Sequence, residues 1–442
     1  MRLLELEIES TGILARKLVG GRLLGEALDE LAADTAHPHR ELLAHHDQWP
    51  LGWLELPRGG PWVRASLYTA QTLREECSEL VVCGIGGSAL GAQAVYAAMD
   101  WPVEYLLPVQ FLDNVDPTQM ARVVEGLQLV DCAVNVISKS GETLETMAGF
   151  LHLLAQLKRA APDAASLARR IVATTDATKG LLRPLAQEQG WRTLPVPSDV
   201  GGRFSVFSAV GLLPLAFAGV DIEALLAGAR ELQDEIAQLP AVENPAWRVA
   251  ALQYLLHIRG GMNQIVHYIY GDPLVLMGDF FRQLWAESLA KARRLDGSPS
   301  GVCLTPLVAR GSTDQHSQNQ LYMEGPDDKL YCFISCRQWE IDPLISLPEG
   351  SRIPELAYID DRRFGEILAA CMAGTRGALI EAGRPVFELR LPRIGAQEIG
   401  AYLQFWMLAT AYAGLLYGVN PFDQPGVERS KVIGRQALGS QH

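Results

Sequence analysis

The sequence predicts an α/β protein made of two doubly wound parallel sheets with helices on both faces. Three observations predict it. Short β-branched apolar runs recur along the chain, helical patterns lie between them, and the series occurs twice. Strands that read as continuous apolar runs are buried on both faces, the condition of a parallel sheet covered by crossover helices. The length of 442 residues is about two to three times the usual domain size, so at least two units are expected.

In chain order, the first seventy residues mix polar and apolar positions, with short helical patterns and a Pro/Gly-rich stretch from Leu56 to Pro61. Leu80–Gly84, Tyr105–Leu112, Cys132–Ile137 and Arg170–Thr175 read as buried strands, with helical patterns at Gly91–Met99, Thr143–Leu157 and Leu181–Gln189. The acidic, helical stretch Asp221–Asn244 separates this series from a second one. There Gln264–Tyr270, Val302–Val308, Leu330–Ser335 and Val386–Leu391 read as strands. The boundary is expected near residue 240, giving units 1–240 and 241–442, the first led by the helical segment and the second ending in helices. Ala401–Val419 is long and apolar enough to resemble a membrane span. It stands alone, contains Gln404 and Thr410, and lacks flanking basic clusters, so it is expected as a buried core helix.

Composition excludes several classes. With 48% hydrophobic and 20% charged residues the chain is globular, not disordered. A net charge of −13 without a Lys/Arg block argues against nucleic acid as a partner and leaves a small anion that must be met by a concentrated site. Seven scattered cysteines with no Cys-x-x-Cys indicate neither a disulfide framework nor a zinc site. The opening MRLLELEIES is interrupted by acids and does not read as a secretory signal, so a cytoplasmic protein is expected.

Four segments carry chemistry. Gly84–Ala92 (GIGGSALGA) follows a strand and precedes a helix. Its glycines let backbone approach a ligand, and the helix start offers unpaired amides to an anion. Taken alone it fits a dinucleotide, with Asp113 at the end of the next strand as a ribose-binding acid, a sugar phosphate, or merely a tight turn. Val136–Thr143 (VISKSGET) adds the hydroxyls of Ser138, Ser140 and Thr143 beside the amides around Gly141. Hydroxyls with helix-start amides suit a phosphate monoester, although capping by Ser and Thr gives the same pattern. Two such loops at adjacent strand ends favour binding, because open α/β sheets hold ligands there. In Phe281–Lys291 (FRQLWAESLAK), Gln283, Glu287 and Lys291 are spaced to share a helical face. They are either a solvated charge pair or a carboxylate base fixed by polar neighbours. The polar loop Gly311–Gln320 (GSTDQHSQNQ) holds His316, an acid/base candidate near neutral pH or a structural histidine. His37, His39, His45 and His46 match no metal-site spacing.

Taken in order, GIGGSALGA, ISKSGET, DVGGRFSVFSAVGLLPL, QLWAESLAK, GSTDQHSQNQ and QPGVERSK closely resemble the glucose-6-phosphate isomerase (phosphoglucose isomerase) family in its short bacterial form, over about residues 80 to 435. The resemblance implies two sugar-isomerase (SIS) domains, a homodimer with active sites at its interface, and neither metal nor cofactor. It implies interconversion of glucose 6-phosphate and fructose 6-phosphate through a cis-enediol, a step of glycolysis and gluconeogenesis. Carried over by motif, the base is Glu287, with Gln283 a turn earlier. His316 reaches the site from the partner subunit, Arg203 is the arginine of VGGR, and Lys431 ends the last motif, which Gln424 opens. Ser138, Lys139, Ser140 and Thr143 bind the phosphate, and Gly87 and Ser88 line the sugar. The chain departs from the family pattern at Ala290, where Gly is usual, at Ser430, also usually Gly, and at Glu142, usually Thr. The rival readings are an NAD-dependent oxidoreductase built on the first glycine loop and a non-catalytic sugar-phosphate sensor.

Overall fold

The computed structural model describes residues 2–99, 106–161, 163–347 and 354–439. Its strands are β1 (Glu5–Glu7), β2 (Glu79–Cys83), β3 (Val109–Leu112), β4 (Cys132–Ile137), β5 (Ile171–Asp176) and β6 (Arg192–Val196), followed by β7 (Gln264–Tyr270), β8 (Lys291–Arg293), β9 (Pro299–Val302), β10 (Thr305–Gly311), β11 (Lys329–Gln338) and β12 (Val386–Arg393). One sheet has the order β3-β2-β4-β5-β6 and is parallel throughout. β2, β4 and most of β5 are buried along their length, which matches their unbroken apolar sequence. Val81 and Cys83 face a cluster with Phe150, Leu153 and Leu157 of the helix Leu144–Ala160. Leu80 and Val82 face the opposite cluster with Ala94 and Val95 of the helix Leu90–Met99. Helices therefore cover both faces.

The other sheet has the order β1-β12-β11-β7-β10, with β1 antiparallel at its edge and the remaining strands parallel. The first strand of the chain thus closes the sheet formed by its second half. Ile265 and Ile269 of β7 join the cluster containing Phe281 and Leu284, whereas Val266, Tyr268 and Tyr270 join Met372 and Leu379 on the other face. The apolar helix Ala396–Tyr417 is buried inside the fold, as expected for a core helix. It crosses Ile222–Ala237 at backbone contact: a Cβ added to Gly400 would lie 1.9 Å from the Leu225 carbonyl oxygen.

The expected strands recur with shifted ends. Cys132–Ile137 and Gln264–Tyr270 match; Tyr105, the expected start of β3, lies outside the described residues. Val302 belongs to β9, in an antiparallel hairpin with β8, so β10 begins later than its apolar run suggests. All seven cysteines are free.

Both sheets place their loops where an open α/β sheet binds ligands. In the first, the chain goes from β2 to β3 on one side and then to β4 on the other. The loops after β2 and β4 flank the crevice at that reversal. They are the two Gly- and Ser-rich segments, Gly84–Ser88 and Ser138–Thr143.

Candidate active site

The loop after β2 is shaped by Gly86 at φ +57° and by Gly87, where an added Cβ would meet the Gly202 carbonyl carbon at 2.3 Å and the Arg203 amide nitrogen at 2.7 Å. Backbone-on-backbone contact at this point is what requires glycine. It sets the first loop against the turn that carries Arg203, and Ser205 Oγ donates to the Gly87 carbonyl at 3.3 Å. An added Cβ on Gly86 would lie 2.8 Å from Gln283 Nε2, so the same loop borders the helix Val275–Leu289.

Arg203 is the hub. Only 3% of its side chain is exposed. Its Nε donates to Ser288 Oγ at 2.7 Å, one terminal nitrogen to Glu287 Oε2 at 3.4 Å and Gln424 Oε1 at 3.2 Å, and the other to the carbonyls of Pro421 at 2.5 Å and Asp423 at 3.0 Å. Burial lowers its pKa from the usual arginine value, while the charges of Glu287 and Asp423 oppose that shift. An arginine far below full deprotonation at any working pH stays cationic. Glu287 is therefore held by both oxygens: Oε1 accepts from Gln283 Nε2 at 3.1 Å, one helical turn earlier, and Oε2 faces Arg203.

Lys291 does not continue that helical face. The helix ends at Leu289, Ala290 is its exposed C-cap, and Lys291 opens β8. The buried lysine folds back, donating to the Glu287 carbonyl at 2.9 Å and to the Asp423 carbonyl, and its ammonium pairs with the Asp423 carboxylate at 2.9 Å. Burial is the main cause of its lowered pKa. Sequence reasoning singled out neither Ser288 nor Asp423. The signal lay in Arg203 itself, since a buried guanidinium has five N–H donors to satisfy.

The loop after β4 is ordered from within. Ser138 Oγ accepts from the Gly141 amide at 3.0 Å and shares a hydrogen bond with Thr143 Oγ1 at 3.0 Å, while Ser140 Oγ accepts from the Glu142 amide at 3.1 Å. Thr143 is the N-cap of Leu144–Ala160 and makes no side-chain capping bond. Its helix start leaves first-turn amides for an anion. Lys139 Nζ is turned to the carbonyls of Ser198 at 2.9 Å and Val200 at 3.1 Å, tying this loop to the Val200–Arg203 turn. Burial lowers its pKa, opposed by Asp176 and Asp199. Ser88 lies on the first loop beside Gly87.

Gln283, Glu287, Arg203 and Gln424 form one hydrogen-bonded chain in that order, with Gly87 against the Arg203 turn. His316 and Lys431 are not part of that contact. His316 is exposed after β10, and the neighbouring Gln315 bonds to Tyr270 Oη at 2.9 Å and the Cys371 carbonyl at 2.7 Å, on the sheet face opposite Glu287. Lys431 lies on the exposed helix Glu428–Gly439 and pairs with Glu428 at 2.8 Å. Ser430 sits in that helix's first turn, donating to the Val427 carbonyl at 2.8 Å. Asp113, the acid a dinucleotide would use, accepts from Gln93 Nε2 at 2.7 Å. Among the described residues no cluster of three or more metal-binding side chains occurs, including the four N-terminal histidines.

The chain is similar to known proteins in sequence and fold. A family model described as phosphoglucose isomerase matches residues 60–338. A glucose-6-phosphate isomerase of Rubrobacter xylanophilus is 41% identical over 429 residues, 95% of this chain and 96% of the relative. A solved structure of a hypothetical protein from Thermus thermophilus superposes with a TM-score of 0.86 at 35% identity, covering 99% of this chain and all of that one (100%). A glucose-6-phosphate isomerase structure from Chlamydia trachomatis has the same fold, with a TM-score of 0.75 at 24% identity over 86% of this chain and 73% of that chain. The chain belongs to the phosphoglucose isomerase family.

Proposed function

We propose a division of roles among these residues for the family's reaction. The chain interconverts glucose 6-phosphate and fructose 6-phosphate, an aldose and its ketose. The reaction opens a sugar ring, then moves one proton from C2 to C1 while the C2 hydroxyl proton passes to O1. His316 and Lys431 are the ring-opening pair: one takes the proton of the anomeric hydroxyl while the other protonates the ring oxygen. Glu287 then removes the C2 proton and returns it to C1 on the same face, as one base can. A positioned base contributes about 10² to 10⁴-fold. The cis-enediolate between the two transfers carries negative charge, which the buried Arg203 guanidinium stabilises. Gln283 keeps the carboxylate aimed. Ser138, Ser140, Thr143 and the helix-start amides hold the phosphate, with Lys139 bracing their loop. Gly87 and Ser88 border the sugar beside Gln424. The phosphate is a remote handle whose binding energy orients the reacting carbons.

The observation that carries this assignment is the Glu287 carboxylate fixed between Gln283 and Arg203, with the Gly86–Gly87 loop packed against both of those neighbours. A homodimer with shared active sites is part of the proposal. It is supported by an exposed His316 whose loop is bonded on the far face of its sheet from Glu287. So are a division into two sugar-isomerase units near residue 240 and a cytoplasmic location. A coupled assay with fructose 6-phosphate, run beside a dinucleotide-binding control, tests the function. Turnover without dinucleotide binding supports it. Binding of the sugar phosphate without turnover identifies a sensor, and tight dinucleotide binding identifies an oxidoreductase.

A further inference from the structure

The helix Glu428–Gly439 has no buried residue, so packing does not fix its pose. Among the described residues, polar contacts anchor it at its root and farther along. At its root, Arg203 and Lys291 grip the Pro421–Gln424 segment through the bonds described above. Farther along, Arg435 donates to the Glu142 carbonyl and to its carboxylate, both at 3.3 Å. Glu142 belongs to the proposed phosphate-binding loop after β4 and is one of the three positions at which this chain departs from the family pattern. Arg435 lies one helical turn beyond Lys431, and residues four apart share a helix face.

We propose that Glu142 and Arg435 are positioning residues: their ion pair docks the C-terminal helix on the phosphate loop and so presents Lys431 to the sugar. The pair also neutralises the one carboxylate in the loop that receives a phosphate dianion. With the Arg435 side chain 57% and that of Glu142 46% exposed, it is a weak, reversible contact. The inference rests on the assignment of Lys431 to ring opening.

The test is a double-mutant cycle on the full-length enzyme, reading kcat and KM for fructose 6-phosphate. Arg435→Gln and Glu142→Gln should each lower kcat about three- to fivefold, the scale of one exposed ion pair, with an unchanged melting temperature. About 0.5 M NaCl should bring the parent enzyme's kcat toward the Arg435→Gln value. The charge-reversed Glu142→Arg/Arg435→Glu variant should recover most of the loss, and Arg435→Gln added to Lys431→Ala should cost nothing further. An Arg435→Gln enzyme with normal kcat, beside a Lys431→Ala enzyme that is slow, would overturn the docking role and leave the assignment of Lys431 standing. A Lys431→Ala enzyme with normal kcat would overturn both.

Discussion

Replacing Arg203 by lysine keeps the charge and removes the fork. The guanidinium serves Ser288 Oγ, Glu287 Oε2, Gln424 Oε1 and the carbonyls of Pro421 and Asp423. An ammonium has three donors on one atom and cannot reach acceptors spread around a planar group, so at least two lose their partner. A buried polar group left unpaired costs about 1–3 kcal/mol, so two set an expected destabilisation of about 2–6 kcal/mol. Loss of the fixed cation from the enediolate should lower kcat by about 10² to 10³-fold, the scale of removing one oxyanion donor. Urea unfolding gives the first quantity and steady-state turnover at saturating substrate the second. A lysine variant that unfolds at the parent's urea midpoint and turns over at the parent's rate would show that the five-bond geometry is dispensable and that Arg203 is not the hub.

Three further outcomes follow from packing and burial. Gly400→Ala places a methyl 1.9 Å from the Leu225 carbonyl oxygen, so the two core helices must separate; a loss of about 1–3 kcal/mol in urea unfolding is expected. Gly87→Ala pushes the first loop off the Gly202–Arg203 backbone; displacement of this order should slow turnover by about 10²-fold, read from kcat at saturating substrate. His267 is fully buried against Phe281, at 3.7 Å between ring centroids, and burial depresses its pKa from 6.5 to about 3. Below pH 6.5 the unfolded chain binds a proton that the folded chain refuses, so stability falls as pH drops toward 3, by about 2 kcal/mol at pH 5. His267→Leu should remove that share of the acid dependence from unfolding curves taken between pH 7 and 5. An unchanged dependence would mean the imidazole is protonated in the folded state.

The parallel strands were legible because burial on both faces leaves a continuous apolar run, as in Cys132–Ile137 and Gln264–Tyr270. The strands the sequence hid are those without that burial. β6 is an edge strand with half-exposed Arg192 and Thr193 and a proline at position 195, tolerated because an edge needs fewer ladder bonds. β1 is three residues, Glu-Leu-Glu, and is a strand only because β12 pairs with it from the far end of the chain. At the site, motif positions located Arg203, Gln283, Glu287 and Gln424, which the fold joins. The position of Lys291 was misread because Ala290 ends the helix and the lysine returns from a strand. His316 and Lys431 were legible as motif residues, but nothing local to them encodes the distance to Glu287.

In the proposed mechanism one carboxylate, Glu287, relays hydrogen between C2 and C1. Glu287→Gln keeps the shape and the contact with Gln283 while removing the basic oxygen. Incubated with fructose 6-phosphate in deuterated water, this variant should bind the sugar phosphate undiminished, yet NMR should show no deuterium entering C1 or C2. Deuterium incorporation at the parent's rate would assign the proton transfer to another group and contradict the account.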